Sequence, residues 1–398
     1  MLGDSQTSRR LCLLAVLTGC SATATTFAQE ERPSAATSSW DQIARYFSPA
    51  ADFVGDYGGY RSPLRRDDGS VITRMNEWTQ RRRELQDQWT QALGRWPDLI
   101  EQPEVEVLES RQRGKLTQHR IRFLWTPTAY TTGYLIVPPG KEKRPAVLTV
   151  YYEPETAAGL KGENRDFAYQ LALRGFVTLS IGTTEATAAK TYALYYPDID
   201  HATVEPLSML GYAAANAWFV LAERPEVDAE RIGIVGHSFG GKWAMFAGCL
   251  FDRFAAVAVS DPGIMFDTLS NVNYWEPWYL GWHPRPWRQR GVVTADNPAR
   301  GLYPKLVREG RDLHELHALL APRAFLVSGG AVDPPTRWRA LNHLVQINGV
   351  LGYEQRVGMT NRPQHSPNPE SNAVIYAFFE HFLDVTAARA PQVRSVQP

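Results

Sequence analysis

The sequence predicts an α/β fold in which helices flank a mostly parallel sheet. From about residue 146 onward, short apolar runs alternate with stretches of helical periodicity, which is typical of repeated strand–helix units. The run at 146–152 is almost continuously apolar, as expected for a strand that is covered on both faces. The 398 residues are 44% hydrophobic, so the chain can build a large core.

The first 28 residues predict a secretory signal. Arg9 and Arg10 precede an apolar run at 11–17, which is followed by small residues and is too short to span a bilayer. The four residues that end at Cys20 resemble a bacterial lipobox, whose processing would leave a lipidated, membrane-attached Cys20. Ordinary cleavage after Ala28 is the alternative. Both routes predict export, to the periplasm or outside the cell.

Three further segments surround the predicted catalytic domain at 100–386. Residues 29–40 have the composition of a flexible linker, and 387–398 form a C-terminal tail. Residues 41–99 predict a helical arm, because the apolar residues of 74–96 repeat at helical spacing. Those apolar residues are Met75, Trp78, Leu85, Trp89, Leu93 and Trp96.

The strands and helices of the catalytic domain can be assigned in order. Strands are predicted at 105–108, 119–125, 132–137, 146–152, 176–181, 232–235, 254–259, 324–328 and 353–358. Helices are predicted at 166–174, 205–222, 240–250, 337–347 and 370–383. One connection, at 262–322, is far longer than usual and rich in Trp and Tyr. Long insertions of this kind are usually lids or binding loops.

Composition excludes several function classes. Forty-two basic residues balance 42 acidic ones, which gives no support for the basic patch that a nucleic-acid partner would need, so we expect no nucleic-acid partner. The three cysteines are Cys12, Cys20 and Cys249, too few after processing for a disulfide framework or a cysteine-based metal site. We expect no metal and no cofactor, since no cluster of His, Cys and carboxylate residues has the spacing of a metal site.

The clearest motif is G-x-S-x-G at residues 236–240, which predicts Ser238 as a nucleophile. An apolar strand runs directly into the motif and a helix runs out of it. The start of that helix supplies free N–H groups, so the Phe239 amide is the expected first oxyanion donor. The second donor is expected near Tyr152 or Glu153, because Pro154 has no N–H.

A serine nucleophile needs a general base and an acid that orients it. His365 is the expected base, because it lies in a loop between the last predicted strand and the last helix. Two aspartates compete for the third role. Asp333 follows the 324–328 strand, which is the usual position and is favoured here, and Asp261 directly follows the preceding strand.

With these residues in order, the region from about 100 to 386 resembles the α/β-hydrolase superfamily, in particular the dienelactone-hydrolase and acetyl-xylan-esterase-like group. It also has a narrower likeness to glucuronoyl esterases, whose G-x-S-x-x-G-K pattern fits residues 236–242. In those enzymes a Glu acid lies just after the next strand, about where Asp261 stands, and the lysine that matches Lys242 contacts sugar hydroxyls. They also carry an Arg directly after the serine, whereas this chain has Phe239.

The resemblance implies a serine carboxylic ester hydrolase that acts on sugar-linked or aromatic acyl esters. The resemblance also implies a substrate-binding role for Lys242. Two Trp of the insertion, Trp275 and Trp278, are the other expected substrate-binding residues, because Trp faces stack on sugar rings and apolar acyl groups. Two other functions remain open. One is a serine peptidase of the prolyl-oligopeptidase type, although the roughly 100 residues before the core are too few for its β-propeller. The other is a non-catalytic surface lipoprotein.

Overall fold

A nine-stranded sheet forms the centre of the computed structural model, which describes residues 38–266, 275, 279–289 and 294–383. The strands are β1 (Val105–Arg113), β2 (Leu116–Thr126), β3 (Ala129–Val137), β4 (Arg144–Tyr151), β5 (Val177–Gly182), β6 (Val227–His237), β7 (Ala256–Ser260), β8 (Ala324–Gly329) and β9 (Val357–Asn361). Their order is β1-β2-β3-β5-β4-β6-β7-β8-β9. The β1–β2, β2–β3 and β3–β5 pairs are antiparallel and all later pairs are parallel.

Helices cover both faces of this sheet. They are α1 (Ser39–Ile43), α2 (Met75–Leu93), α3 (Pro154–Ala157), α4 (Phe167–Leu173), α5 (Thr184–Ala188), α6 (Pro206–Ala222), α7 (Phe239–Leu250), α8 (Leu302–Arg308), α9 (His314–His317), α10 (Trp338–Val350) and α11 (Pro369–Leu383). Successive residues of one strand pack in different apolar clusters on opposite faces of the sheet, as Val147 and Leu148 of β4 do. Both faces of the parallel strands are therefore buried, which confirms the prediction drawn from their continuous apolar runs.

The first helix begins within the segment that was predicted as a flexible linker. Helix α1 begins at Ser39, inside the predicted 29–40 linker, because Ser38 and Asp41 form a capping box that stabilises its first turn. In α2 the buried face includes Trp78, Leu85 and Trp89, as predicted, whereas Met75 at the helix start is half exposed. Residues 1–37 and 384–398, with the predicted signal, Cys20 and the C-terminal tail, lie outside the described residues.

The last strand lies further along the chain than predicted. The expected strand at 353–358 is instead β9, Val357–Asn361. The amide of Tyr353 donates to the carbonyl oxygen of Asn348, so the chain is still closing the end of α10 at that point. The shift places His365 only four residues after the strand's end.

The long insertion contributes α8 and α9 together with buried aromatic side chains, among them Trp275 and Tyr279. Trp278 lies outside the described residues. Across the part of the chain that is described, none of the helices has the length and apolar character that a membrane span requires.

Candidate active site

The predicted nucleophile lies at a sharp turn between β6 and α7. Ser238 has φ 54° and ψ −114°, a left-handed conformation that is strained for a side-chain-bearing residue. A Cβ added to Gly236 would collide with the backbone of Gly240, and one added to Gly240 would collide with the carbonyl oxygen of Val150. Both glycines are therefore required by the close approach of backbone segments, as the motif predicts.

Two hydrogen bonds join three side chains at the carboxyl ends of the strands. His365 Nε2 lies 2.9 Å from Ser238 Oγ, and His365 Nδ1 lies 2.7 Å from Asp261 Oδ2. The Asp261 side chain is fully buried, whereas that of His365 is 41% exposed. This is the arrangement in which a histidine can take a proton from a serine while a carboxylate orients its ring.

Asp261 is held by the neighbouring loop. It follows β7 directly, with φ 50°, and its carboxylate accepts hydrogen bonds from the amides of Val332 at 3.2 Å and Asp333 at 2.8 Å. These amides satisfy the oxygen atoms that His365 leaves free. The carboxylate is thus presented to the imidazole in one orientation.

The preference for Asp333 as the acid does not match this geometry. Asp333 is fully buried, and its carboxylate accepts the amides of Gly263 and Ile264 at 2.7 Å each instead of contacting His365. Burial raises the pKa of Asp333, Arg337 opposes the rise, and the nearby Asp261 adds to it. The only sequence signal for Asp333 was that it follows the strand after which the acid usually lies. That signal could not show which way the carboxylate points.

A buried arginine that sequence reasoning missed fastens the histidine loop to the sheet. Arg362 is 4% exposed, and its Nη2 donates to the carbonyl oxygen of His365 at 2.6 Å. Its Nε donates to the Ser366 carbonyl oxygen at 2.9 Å, and its Nη1 donates to the carbonyl oxygens of Ser328 and Gly329. One guanidinium therefore ties both sides of the His365 peptide to the end of β8.

His237, which precedes the nucleophile, forms one wall of the site. Its ring centroid is 4.8 Å from that of His365, and its Nδ1 lies 3.1 Å from Ser260 Oγ. Burial, with the charges of His365, Arg165 and Arg362, lowers the pKa of His237 to about 2. The ring beside His365 is therefore neutral at any working pH.

Lys242, four residues after the nucleophile, is buried rather than open to solvent. Its Nζ donates to the carbonyl oxygen of Pro262 and lies 3.9 Å from the ring centroid of Trp275. Burial lowers its pKa to about 8, while Asp333 and Asp261 favour the charged form. The structure therefore brings two of the expected substrate-binding residues, Lys242 and Trp275, into contact with each other.

Aromatic rings surround the start of α7. The Phe239 side chain is buried and stacks on Tyr152, with ring centroids 4.7 Å apart, while its amide lies at the first turn of the helix. Tyr152 and Glu153 follow the end of β4, so the expected source of a second oxyanion donor adjoins the same turn. Within the described ranges, no group of three His, Cys, Asp or Glu side chains could hold a metal ion.

Solved structures share this fold. A glucuronoyl esterase from Solibacter usitatus is 16% identical, with TM-score 0.61, over 81% of this chain and 97% of that one. A glucuronoyl esterase of carbohydrate esterase family 15, from Caldicellulosiruptor kristjansonii, is 19% identical, with TM-score 0.57, over 84% of this chain and 95% of that one. A Sporotrichum thermophile glucuronoyl esterase mutant, solved with methyl 4-O-methyl-β-D-glucopyranuronate, is 16% identical, with TM-score 0.54, over 83% and 89%.

The chain therefore has the α/β-hydrolase fold, which confirms the fold prediction. No family profile matches the sequence. No curated protein matches it either.

Proposed function

We propose that the protein is a serine carboxylic ester hydrolase that works through an acyl-enzyme, with Ser238, His365 and Asp261 as its catalytic triad. The observation that carries this proposal is the continuous pair of hydrogen bonds from Ser238 Oγ through the imidazole to the Asp261 carboxylate. Nucleophile, base and orienting acid therefore lie in direct hydrogen-bond contact.

In the first half of the reaction Ser238 Oγ attacks the ester carbonyl carbon, and its proton passes to His365 Nε2. The tetrahedral intermediate places its negative oxygen at the start of α7, where the Phe239 amide donates to it. His365 then returns the proton to the leaving alkoxide, so the alcohol departs neutral and the acyl group stays on Ser238. Water attacks the acyl-enzyme by the same route, which releases the acid and restores Ser238.

We propose sugar-linked esters as the substrate class. Lys242 lies in α7, four residues after Ser238, and Trp275 packs against its ammonium group. An indole ring beside the nucleophile helix is a suitable partner for a sugar ring or an apolar acyl group. One structural neighbour was solved in complex with a methyl glucuronate ester, which makes uronate esters the first substrates to assay. Phe239 in place of an arginine after the serine is a difference that such an assay would test directly.

The experiment that tests the activity compares wild type with Ser238→Ala on 4-nitrophenyl acetate and on a methyl uronate ester. Loss of the nucleophile should lower kcat by on the order of 10⁴ or more, with an unchanged thermal unfolding midpoint. A fluorophosphonate probe should label wild type and leave the variant unlabelled. Labelling of neither protein would favour a non-catalytic surface lipoprotein, and cleavage of peptide anilides alone would favour a peptidase.

For location we propose export with removal of the first residues, by cleavage after Ala28 or by lipidation of Cys20. Mass spectrometry of the mature N-terminus from a bacterial host tests both routes. A mature chain that still starts at Met1 would contradict them.

A further inference from the structure

We propose that Arg165 binds a carboxylate carried by the alcohol portion of the ester substrate. The inference rests on the proposed hydrolase function and adds a substrate class to it. It starts from a guanidinium beside the triad that no acidic side chain neutralises among the residues that the structure describes.

Arg165 contacts the loop that holds His365. It lies in the connection between α3 and α4, and its Nη2 donates to Ser366 Oγ at 3.0 Å. Ser366 directly follows His365 and is exposed, while Arg165 itself is half-buried. The guanidinium is thus fixed next to the residue that handles the proton.

Two side chains beside the triad are affected by this charge. Arg165 is among the groups that lower the pKa of His237, and it opposes the rise that burial imposes on the pKa of Tyr151. The centroid of the His237 ring lies 4.8 Å from that of His365 and 6.2 Å from that of Tyr151. The positive charge of Arg165 is therefore close to the side chains that adjoin the catalytic imidazole.

The hydrogen-bonding capacity of Arg165 is largely unused. Among the described residues its side chain makes a hydrogen bond only to the neutral Ser366 hydroxyl, and its buried Nε has no acceptor. By contrast, Arg362 uses all three of its nitrogens on carbonyl and hydroxyl oxygens. A partly buried cation without an anionic partner is costly, and a substrate carboxylate would supply the missing acceptors.

The position of Arg165 relative to His365 indicates that it contacts the alcohol portion of the ester. His365 Nε2 must reach the leaving oxygen to protonate it, so the alcohol departs along the histidine loop. Arg165 is hydrogen-bonded to that loop through Ser366. The ligand class is therefore an acidic alcohol component, such as a uronic acid or a hydroxybenzoate.

The test uses two acetate esters of nearly the same size and shape, the anionic 4-acetoxybenzoate and the neutral 4-acetoxybenzamide. Arg165→Gln should lower the ratio of kcat/KM for the anionic ester over the neutral ester by about tenfold or more. Arg165→Lys, which keeps a charge but not the planar fork, should recover part of that ratio. Raising the salt concentration should lower the ratio for wild type and leave it nearly flat for Arg165→Gln.

Arg174→Gln is the matched control, because Arg174 follows α4 away from the site and pairs with Glu380. It removes the same charge from the protein and should leave the ratio unchanged. An unchanged ratio in Arg165→Gln overturns the inference. So does a loss confined to mono-4-nitrophenyl succinate, whose charge lies on the acyl side. If wild type cleaves neither acetate and Ser238→Ala behaves identically, the proposed function fails instead.

Discussion

Asp261 and Asp333 hold each other's loops in place. The carboxylate of Asp261, after β7, accepts the backbone amide of Asp333, and the carboxylate of Asp333 accepts the amides of Gly263 and Ile264 just beyond Asp261. The two aspartates are thus reciprocal anchors of adjacent loops, but only Asp261 reaches His365. Each is a reasonable acid by position, and the hydrogen bonds assign them different tasks.

Asparagine at these two positions should therefore have unequal effects. Asp261→Asn should lower kcat by roughly 10⁴, because the amide no longer selects the productive histidine tautomer. Asp333→Asn should lower kcat far less but destabilise the protein by about 1–3 kcal/mol, because an N–H would then face a backbone N–H. Steady-state kinetics and urea unfolding of both variants measure the difference. A crippling Asp333→Asn with a mild Asp261→Asn would reverse the assignment.

The anchoring of the His365 loop by Arg362 predicts a loss in turnover without a loss in binding. Arg362→Met removes every donor that this side chain offers to the His365 and Ser366 carbonyl oxygens, and a displacement of about 1 Å at the base can cost about 10²-fold in kcat. KM should change little, because Arg362 is buried behind the loop. Added guanidinium should partly restore the activity of Arg362→Ala.

Arg323 supplies the control for this experiment. Arg323 is likewise a largely buried arginine, with a side chain 13% exposed, and it is not part of the site. It donates to the backbone carbonyl oxygens of Phe251, Phe254 and Leu319. Arg323→Met should lower stability and leave kcat near wild type. Equal kcat losses in both variants would mean that general destabilisation, rather than positioning, explains Arg362.

Lys242 and Trp275 should act as one unit in substrate binding. A desolvated cation over an indole face contributes about 2 kcal/mol. Removal of either side chain should therefore displace the other from its position beside the nucleophile helix. Lys242→Met and Trp275→Leu should each raise KM for a sugar ester, and the double variant should be no worse than the single ones. KM for 4-nitrophenyl acetate serves as the insensitive reference. Additive effects in the double variant would contradict a shared role.

The charge state of Lys242 adds a pH signature. Its pKa of about 8 means that the ammonium group loses its proton as the pH rises above 8. KM for the sugar ester should therefore increase above pH 8 in wild type, and this increase should be absent in Lys242→Met. Parallel KM profiles for the two proteins would exclude Lys242 as the titrating group.

Acid sensitivity should arise from a buried histidine pair between the arm and α10. The rings of His314 and His343 lie 5.0 Å apart, and burial lowers each pKa to about 4 from an ordinary value of 6.5. Between pH 6.5 and 4 the unfolded chain binds protons that the folded chain does not. The contribution of each of these two histidines to the free energy of unfolding should fall by about 3 kcal/mol across that window.

His343→Gln tests this expectation. Glutamine can still donate to the Tyr57 carbonyl oxygen that His343 Nε2 contacts, but it does not titrate. Urea unfolding at several pH values should show that the free energy of unfolding of His343→Gln falls less between pH 6.5 and 4 than that of wild type. An equal slope would mean that His343 is protonated in the folded state as readily as in the unfolded chain.

The sequence by itself determined the α/β architecture, the turn that presents Ser238 and the loop that holds His365. These follow from local signals, namely continuous apolar strands, glycines at the crossing points and a histidine between the last strand and the last helix. The end of α10 and the start of β9 were misjudged, because the carbonyl of Asn348 that caps the helix gives no periodic signal.

Only the tertiary structure decided which of Asp261 and Asp333 contacts His365. It also showed that Lys242 is buried against Trp275, and it revealed the roles of Arg362 and Arg165. In each case the deciding contact joins segments about 30 to 200 residues apart, such as Arg165 with Ser366 or Asp261 with Asp333. The direction of a side chain at a strand end depends on which backbone amides the neighbouring loop offers. That information lies in the packing of the loops and not in the spacing of the residues.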